Sequence, residues 1–411
     1  MLKREFGKLT AGLRAAGAPH VPQQTQRTQA ASPVILAPGW EMLAPSGDTS
    51  GAEDTAAITA ALAGLPPGGR LSLATGVFYT NGPIVPGPGQ HLAGLHGAPP
   101  SGDGAAQDYG TVIKPVASWT TPHPVAGVIS YPAAQCQGDL TDLWIDGRAA
   151  PAGVDGVAAF GGANAVSVRN VGVYAATGHG FAQYPNRAVT VAGWHLSFCL
   201  AQECGADGFY GAYTDATLMD CHAQACRGDG FSIRGANAKL IGCRGDLCTN
   251  GFTLDVPGGG GYNDATVLTG CGTQRNANFG LNVINTSADG AAGRAPVLVD
   301  ACSFGGDGTA RAAGAAYAGI GVRGRNIVII GSASVTVNTV DVGGGCPDYG
   351  LLTEAAGAGV PILVTMGTGL LNGVVAPHRD GAPAAQLSLG PGVYGATGYR
   401  PSGVGSPGAG D

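Results

Sequence analysis

The chain is short of charge. Asp, Glu, Lys and Arg make up 12% of its 411 residues, about half the share of an average soluble protein. The basic residues are scattered and the formal net charge is -6, so there is no electrostatic footprint for nucleic acid. No run of about 18 apolar residues is present, which leaves no membrane span to propose although 44% of the residues are hydrophobic. Lys3, Arg4, Lys8 and Arg14 near the N-terminus are not followed by an apolar core of about 7 to 15 residues, so a Sec signal peptide is not expected. Leu2, Phe6, Leu9 and Leu13 instead recur at helical spacing. Residues 1–38 therefore read as a short amphipathic helix and polar linker, either docking to a larger assembly or disordered.

What is abundant is glycine, 73 residues of it, and small polar side chains. Residues 39–97 open with Gly47-Asp48 and Asp54-Thr55, followed by an Ala-rich helical stretch through Ile58, Ala61, Leu62 and Leu65. Thr49, Ser50 or Asp54 is expected to cap that helix. Pro66-Pro67-Gly68-Gly69 stops it, Arg70-Leu-Ser-Leu alternates as a strand, and Val77-Phe78-Tyr79 resumes the strand after Gly76. This order resembles the N-terminal opening of the pectate-lyase-like parallel β-helix superfamily, phage tailspikes and minor tail proteins included. A helix there covers apolar core and unpaired strand edge that an open solenoid end would expose.

A Gly followed by an apolar residue recurs as Gly156-Val157, Gly180-Phe181, Gly208-Phe209, Gly230-Phe231, Gly251-Phe252, Gly280-Leu281, Gly319-Ile320 and Gly350-Leu351. The intervals are 24, 28, 22, 21, 29, 39 and 31 residues. One coil of a β-helix takes roughly 20 to 25 residues, so longer intervals are a coil plus a corner loop. Cysteines keep the same beat: Cys199, Cys221 and Cys243 in one series, Cys204, Cys226 and Cys248 in another, each stepping by 22. These are expected to stack as two columns of small apolar thiols. With no matching Cys or His pairs elsewhere, the spacing predicts neither a metal nor a cofactor. Many unpaired thiols suit folding in a reducing cytoplasm. The fold class expected is all-β, a single-stranded right-handed parallel β-helix with a short N-terminal capping helix. Its rungs occupy residues 98–355, and C-terminal strands and a flexible tail occupy 356–411. Those last strands either close the solenoid or pair between chains.

Candidate chemistry sits immediately before the repeating glycine, where Asp155, His179, Asp207, Asp229 and Asn250 form a polar column. One explanation is structural, since Asp and Asn tolerate left-handed backbone and make turns. The other is catalytic: Asp207 and Asp229, one rung apart, have the separation of a retaining glycosidase pair, and two such carboxylates would split into an acid and a base. His179, in the triplet Gly178-His179-Gly180, is an alternative participant that superficially matches a polygalacturonase motif, although the other motifs of that branch are missing. Asp142, Asp146 and Arg148 form a second alternative, a sparse version of a Ca²⁺-assisted lyase site. For binding, Tyr174, Tyr184, Trp194, Tyr210 and Tyr213 fall in consecutive coils and could present flat faces to sugars.

The superfamily resemblance implies a phage tail spike, tail fibre or minor tail protein. Such a protein would be a homotrimer on the virion, folded in the host cytoplasm, binding host-surface polysaccharide with or without depolymerising it, with the N-terminal segment meeting other tail or baseplate proteins. The alternatives are an exported, extracellular bacterial polysaccharide lyase or glycoside hydrolase, and a purely structural β-helix. The fold by itself does not separate them.

Overall fold

The computed structural model describes residues 34–37, 40–95, 110–119, 127–131, 137–161, 163–184, 193–211, 215–235, 237–255, 265–284, 296–309, 317–323, 327–336, 347–354, 363–372, 376–381 and 386–396. The chain divides into two compact units, residues 1–30 and residues 31–411. The first unit, with the amphipathic segment expected at Leu2 to Leu13, lies outside the described residues.

The second unit is a right-handed parallel β-helix made of a 21-stranded and a 10-stranded sheet. Among the described residues the single antiparallel pair is Val34–Ala37 with Trp40–Leu43. A representative coil runs His195–Ser197, Leu200–Gln202 and Phe209–Gly211. The next coil repeats it as Thr217–Met219, His222–Gln224 and Phe231–Ile233, each strand pairing in parallel with its predecessor. In these coils the first two strands belong to the larger sheet and the third to the smaller one, and in others, such as Val166–Tyr174, the first two run on as one strand.

The corners explain why such short strands hold a regular coil. Between the first and second strands the chain turns on one left-handed residue per coil: Asp142, Asn170, Phe198, Asp220, Gly242, Gly270 and Ala301. After the second strand a further column does the same, through Ala175, Glu203, Ala225, Leu247, Arg275 and Gly306. The residue after each such corner turns inward where the coil narrows. Those inward positions carry the thiols: Cys199, Cys221, Cys243, Cys271 and Cys302 in one column and Cys204, Cys226 and Cys248 in the other, all buried and unpaired. The first column is thus two rungs longer than its 22-residue beat suggested. The second continues with Asn276 and Asp307, where the Asp307 carboxylate accepts from Asn276 and from the Thr273 hydroxyl.

On the smaller sheet the inward position stacks Phe181, Phe209, Phe231 and Phe252, with ring centroids 4.9, 4.6 and 4.9 Å apart and near-parallel planes. The preceding glycines have a different reason from the one expected. Neither they nor the polar residues before them are left-handed. They are glycine because a Cβ has no room: at Gly208 it would lie 2.7 Å from the Ala223 Cβ and 2.7 Å from the Gly230 carbonyl oxygen.

The expected capping helix is Ala52–Gly64, with Ile58, Ala61 and Leu62 buried. The N-cap position itself is none of Thr49, Ser50 and Asp54, although the Ser50 Oγ accepts the Ala52 N–H at 3.3 Å. Gly51 occupies the N-cap in left-handed conformation, where a Cβ would strike the Thr80 backbone, and the Asp48 carboxylate accepts the Glu53 N–H at 3.1 Å. Asp54 is buried instead and ties the helix to the solenoid, accepting from the backbone of Ser46 and Tyr79. At the other end Gln90 Nε2 donates to the Leu62 and Leu65 carbonyls. The C-terminal strands pair within the chain: Leu363–Asn372 lies on Ile327–Thr336, and Gln386–Ala396 lies on Leu363–Asn372, both parallel.

Two consequences are testable. Phe231→Ala should cost about 3–5 kcal/mol and Gly208→Ala about 1–3 kcal/mol in urea unfolding; losses below about 1 kcal/mol for both would mean that neither stack carries the core. The eight buried thiols should resist a thiol-titrating reagent in the native protein and react once it is unfolded, and rapid native labelling of Cys199, Cys221 or Cys243 would contradict the column arrangement.

Candidate functional site

The polar column before the repeating glycine stands at the edge of the smaller sheet, and each member is bonded to the next coil. Asp155 Oδ1 accepts the His179 N–H at 2.7 Å, His179 Nδ1 accepts the Asp207 N–H at 3.0 Å, and Asp207 Oδ1 accepts the Asp229 N–H at 2.7 Å. Asp229 Oδ1 accepts from Asn250 Nδ2 at 2.7 Å, and Asn250 Oδ1 from the Phe279 N–H. The column therefore extends the sheet's hydrogen bonding with side chains.

It also leaves groups unspent. His179 and Asp207 keep 18% and 16% of their side-chain surface exposed. Because His179 Nδ1 accepts a backbone N–H, its proton sits on Nε2 in the neutral ring. Its 3.6 Å approach to Asp207 Oδ2 is then a contact with a neutral imidazole, not an ion pair. Burial, with the Arg234 charge second, pushes His179 down to about 4. Asp207 goes the other way, to about 6: burial raises it and outweighs the Asp229 N–H bond and the Arg234 charge, with the Asp229 carboxylate adding to the rise. Burial also raises Asp229, opposed by Thr253 and Asn250. Asp155 reaches about 7 through burial, although the Tyr184 hydroxyl and the His179 N–H both favour its anion. A neutral imidazole and carboxyls that hold protons near neutrality are suited to acid and base work.

Aromatic rings lie against this column. His179 stacks on Tyr210 with centroids 4.1 Å apart, and Tyr184 lies 5.7 Å from Tyr210 and 5.6 Å from Phe160. The Tyr184 hydroxyl donates to Asp155 Oδ2 at 2.7 Å. Arg234 stands over the Tyr210 ring at 5.0 Å.

Other sequence-predicted residues fall elsewhere. Trp194 is 1% exposed, packed edge-on to Tyr131 with its indole N–H donated to the Ala163 carbonyl; it is core, not a binding surface. Tyr174 belongs to the larger sheet, its hydroxyl donated to Glu203 and Arg148 over its ring. Tyr213 lies outside the described residues. Asp146 accepts from Nε and Nη2 of Arg148, at 2.9 and 2.7 Å, with Lys114 at 3.6 Å. Burial would raise its pKa, but the Arg148 bonds and charge prevail and lower it. Asp142 sits at a left-handed corner, bonded to Asn170. Among the described residues no three His, Cys, Asp or Glu side chains converge as a metal site would require. A groove of about 580 Å³ on the larger sheet, lined by Ser303, Ser334, Leu370 and Tyr394, offers no carboxylate or imidazole and so no acid–base chemistry.

Arg234 was missed in the sequence. The alternation Phe231-Ser-Ile-Arg234, with Phe231 inward, puts it on the outer face beside the Asp column, and that signal was there to be used.

No protein-family model and no curated protein sequence matches the chain. Solved structures do match its fold. The A-module of a mannuronan C-5 epimerase from Azotobacter vinelandii matches at 17% identity over 85% of this chain and 96% of that one, with a TM-score of 0.51. The catalytic domain of a GH87 α-1,3-glucanase in complex with tetrasaccharides matches at 12% identity, over 81% of this chain and 64% of that one, TM-score 0.51. Tailspike protein 2 of Escherichia coli O157:H7 bacteriophage CAB120 matches at 13% identity, over 82% of this chain and 44% of that one, TM-score 0.52. The chain thus spans less than two thirds of the glucanase and less than half of the tailspike. At these identities the likeness is one of fold.

The raised carboxyls have a pH signature. Unfolded, Asp155 and Asp207 would titrate near 4; folded, they titrate at about 7 and about 6. Between those values the folded chain keeps protons that the unfolded chain has lost, so stability falls as pH rises from about 4 to about 7. The urea midpoint should be lower at about pH 7.5 than at about pH 4.5, and Asp155→Asn should shrink the difference. An unchanged difference would rule Asp155 out as a source.

Proposed function

We propose that the outer edge of the smaller sheet, from Asp155 to Asn250, binds a polysaccharide and cleaves it. The observation that carries this reading is the meeting of Asp207, Asp229 and neutral His179 with the Tyr184 and Tyr210 rings on one face. Tyrosine rings suit the apolar faces of sugars, and the solenoid repeats its polar groups at about 4.8 Å, a spacing along which an extended glycan can lie. Asp207, which keeps a proton to about pH 6, is the general acid toward the leaving glycosidic oxygen. Asp229, which burial raises while the Asn250 amide bond favours its anion, is the base or nucleophile one rung away. His179 Nε2–H is a donor toward a sugar hydroxyl.

In this reading the chain is a phage tail spike or related tail protein. It acts on host-surface polysaccharide as a homotrimer and meets other tail proteins through its N-terminal segment. The fold it has in common with a tailspike supports that assignment, and a free-standing polysaccharide lyase or hydrolase uses the same site. A purely structural role is favoured by one observation, the rung-to-rung bonding of every column member.

Reducing-end release from a panel of bacterial surface polysaccharides decides between them. Wild-type protein should release ends, and Asp207→Asn or Asp229→Asn, which keep the column's hydrogen-bonding shape, should lower release about 10²–10⁴-fold while melting stays near wild type. Native mass should be that of a trimer. Release untouched by both substitutions would remove these residues from the chemistry, and no release with any glycan would leave the structural role.

A further inference from the structure

Arg234 is exposed at the mouth of this face and held in place from one side only. Its backbone N–H donates to the Gly211 carbonyl at 2.8 Å, and its guanidinium lies over the Tyr210 ring at 5.0 Å. Among the described residues no carboxylate comes within ion-pair distance of it.

Comparison with the other stacked arginines among the described residues makes that absence informative. Arg148 lies 5.3 Å from the Tyr174 ring and is neutralised by Asp146 at 2.7 Å. Arg323 lies 4.5 Å from the Phe279 ring and is neutralised by Glu354 at 3.1 Å. Arg379 over Tyr349 has no carboxylate among the described residues either, but it stands five strands farther along the sheet, away from the Asp column. Arg234 is therefore the stacked cation whose fork is left open beside a cluster of acid, imidazole and tyrosine.

An open guanidinium next to sugar-sized aromatic faces is a recognition element. Its planar fork matches a carboxylate through two parallel N–H bonds, a geometry that a neutral hydroxyl does not offer. Fixed over Tyr210, it also has less rotamer entropy to lose on binding than a free surface arginine. Building on the glycan-binding reading of this face, we propose that Arg234 selects a sugar residue bearing a carboxylate, so that the preferred polysaccharide contains uronic acid units or other carboxylated sugars.

Matched polymer pairs test this. Polygalacturonate and polymannuronate, each alongside its carboxyl-reduced neutral form, and a dextran sulfate would be titrated against full-length protein at low ionic strength. Wild type should bind at least one carboxylated polymer about tenfold or more tightly than its reduced partner. Arg234→Gln should equalise the pair, and Arg234→Lys should keep part of the preference, because an ammonium carries the charge without the fork. The preference should shrink in about 0.5 M salt. Arg234 is exposed, so both variants should melt like the wild type. Equal binding of the two forms by wild type, or a preference that survives Arg234→Gln, overturns the assignment and leaves the face a binder of neutral glycan. Dextran sulfate bound as tightly as the carboxylated polymers also overturns it, in favour of charge alone. Binding to none of the polymers, neutral or anionic, removes the glycan reading itself and this inference with it.

Discussion

Consecutive coils of this protein pair strand on strand, in parallel and in register, at about 4.8 Å, so every side chain lies against its own equivalent one coil away. A residue type survives at a position only if it tolerates being stacked on itself or on something of its size. Phenylalanine does so face to face, cysteine does so at the narrow inward positions after the left-handed corners, and glycine does so where the coil approaches too closely for a Cβ. The same rule shapes the outside of the solenoid, where the stacked equivalents are polar.

Carboxylates are the type that stacking penalises, because like charges come together in a partly dry edge. The column resolves the conflict in two ways. Backbone N–H groups of the next coil feed Asp155 and Asp207, and neutral partners interrupt the series, with His179 before Asp207 and Asn250 after Asp229. What repulsion and burial remain appears as raised pKa values at Asp155, Asp207 and Asp229. The strain of stacking and the capacity for proton transfer are thus one property. The second acidic cluster, around Asp146, shows the contrast: Arg148 and Lys114 saturate the carboxylate, and its pKa falls.

The same logic places Arg234. A cation on the outer face above Tyr210 lowers the pKa of Asp207, Asp229 and His179 alike, so it tunes the column without bonding to it. Past Asn250 the outward positions become Phe279, Ala318 and Tyr349, which pack with Leu352 into a small apolar cluster of their own. The polar stretch is therefore bounded along the solenoid axis, with acid and aromatic groups gathered in the coils between Asp155 and Asn250.

Much of the fold was legible because a solenoid writes its period into the chain. Thiols recurring every 22 residues and Gly-Phe pairs recurring every 21 to 28 report the coil directly, and the helix at Ala52–Gly64 is written in its Ala-rich spacing. The polar column was legible for the same reason, since its members share one phase of the repeat. Phase alone did not say which residues are left-handed: beside Asp142, Asn170 and Asp220, that falls to Phe198, Glu203 and Ala225, which carry no sequence signature for it, and not to the Asp-Gly steps before the repeating apolar residue. Nor did it separate Tyr210, on the outer face, from Trp194, sealed in the core, because tyrosine and tryptophan serve equally as wall or filler. Sequence by itself determined the repeat, the core stacks and the column of candidate acids, since each depends on spacing along one chain. The tertiary structure alone decided which aromatics and which arginine meet that column and how far its pKa values move, because those depend on distances between coils and on what burial leaves exposed.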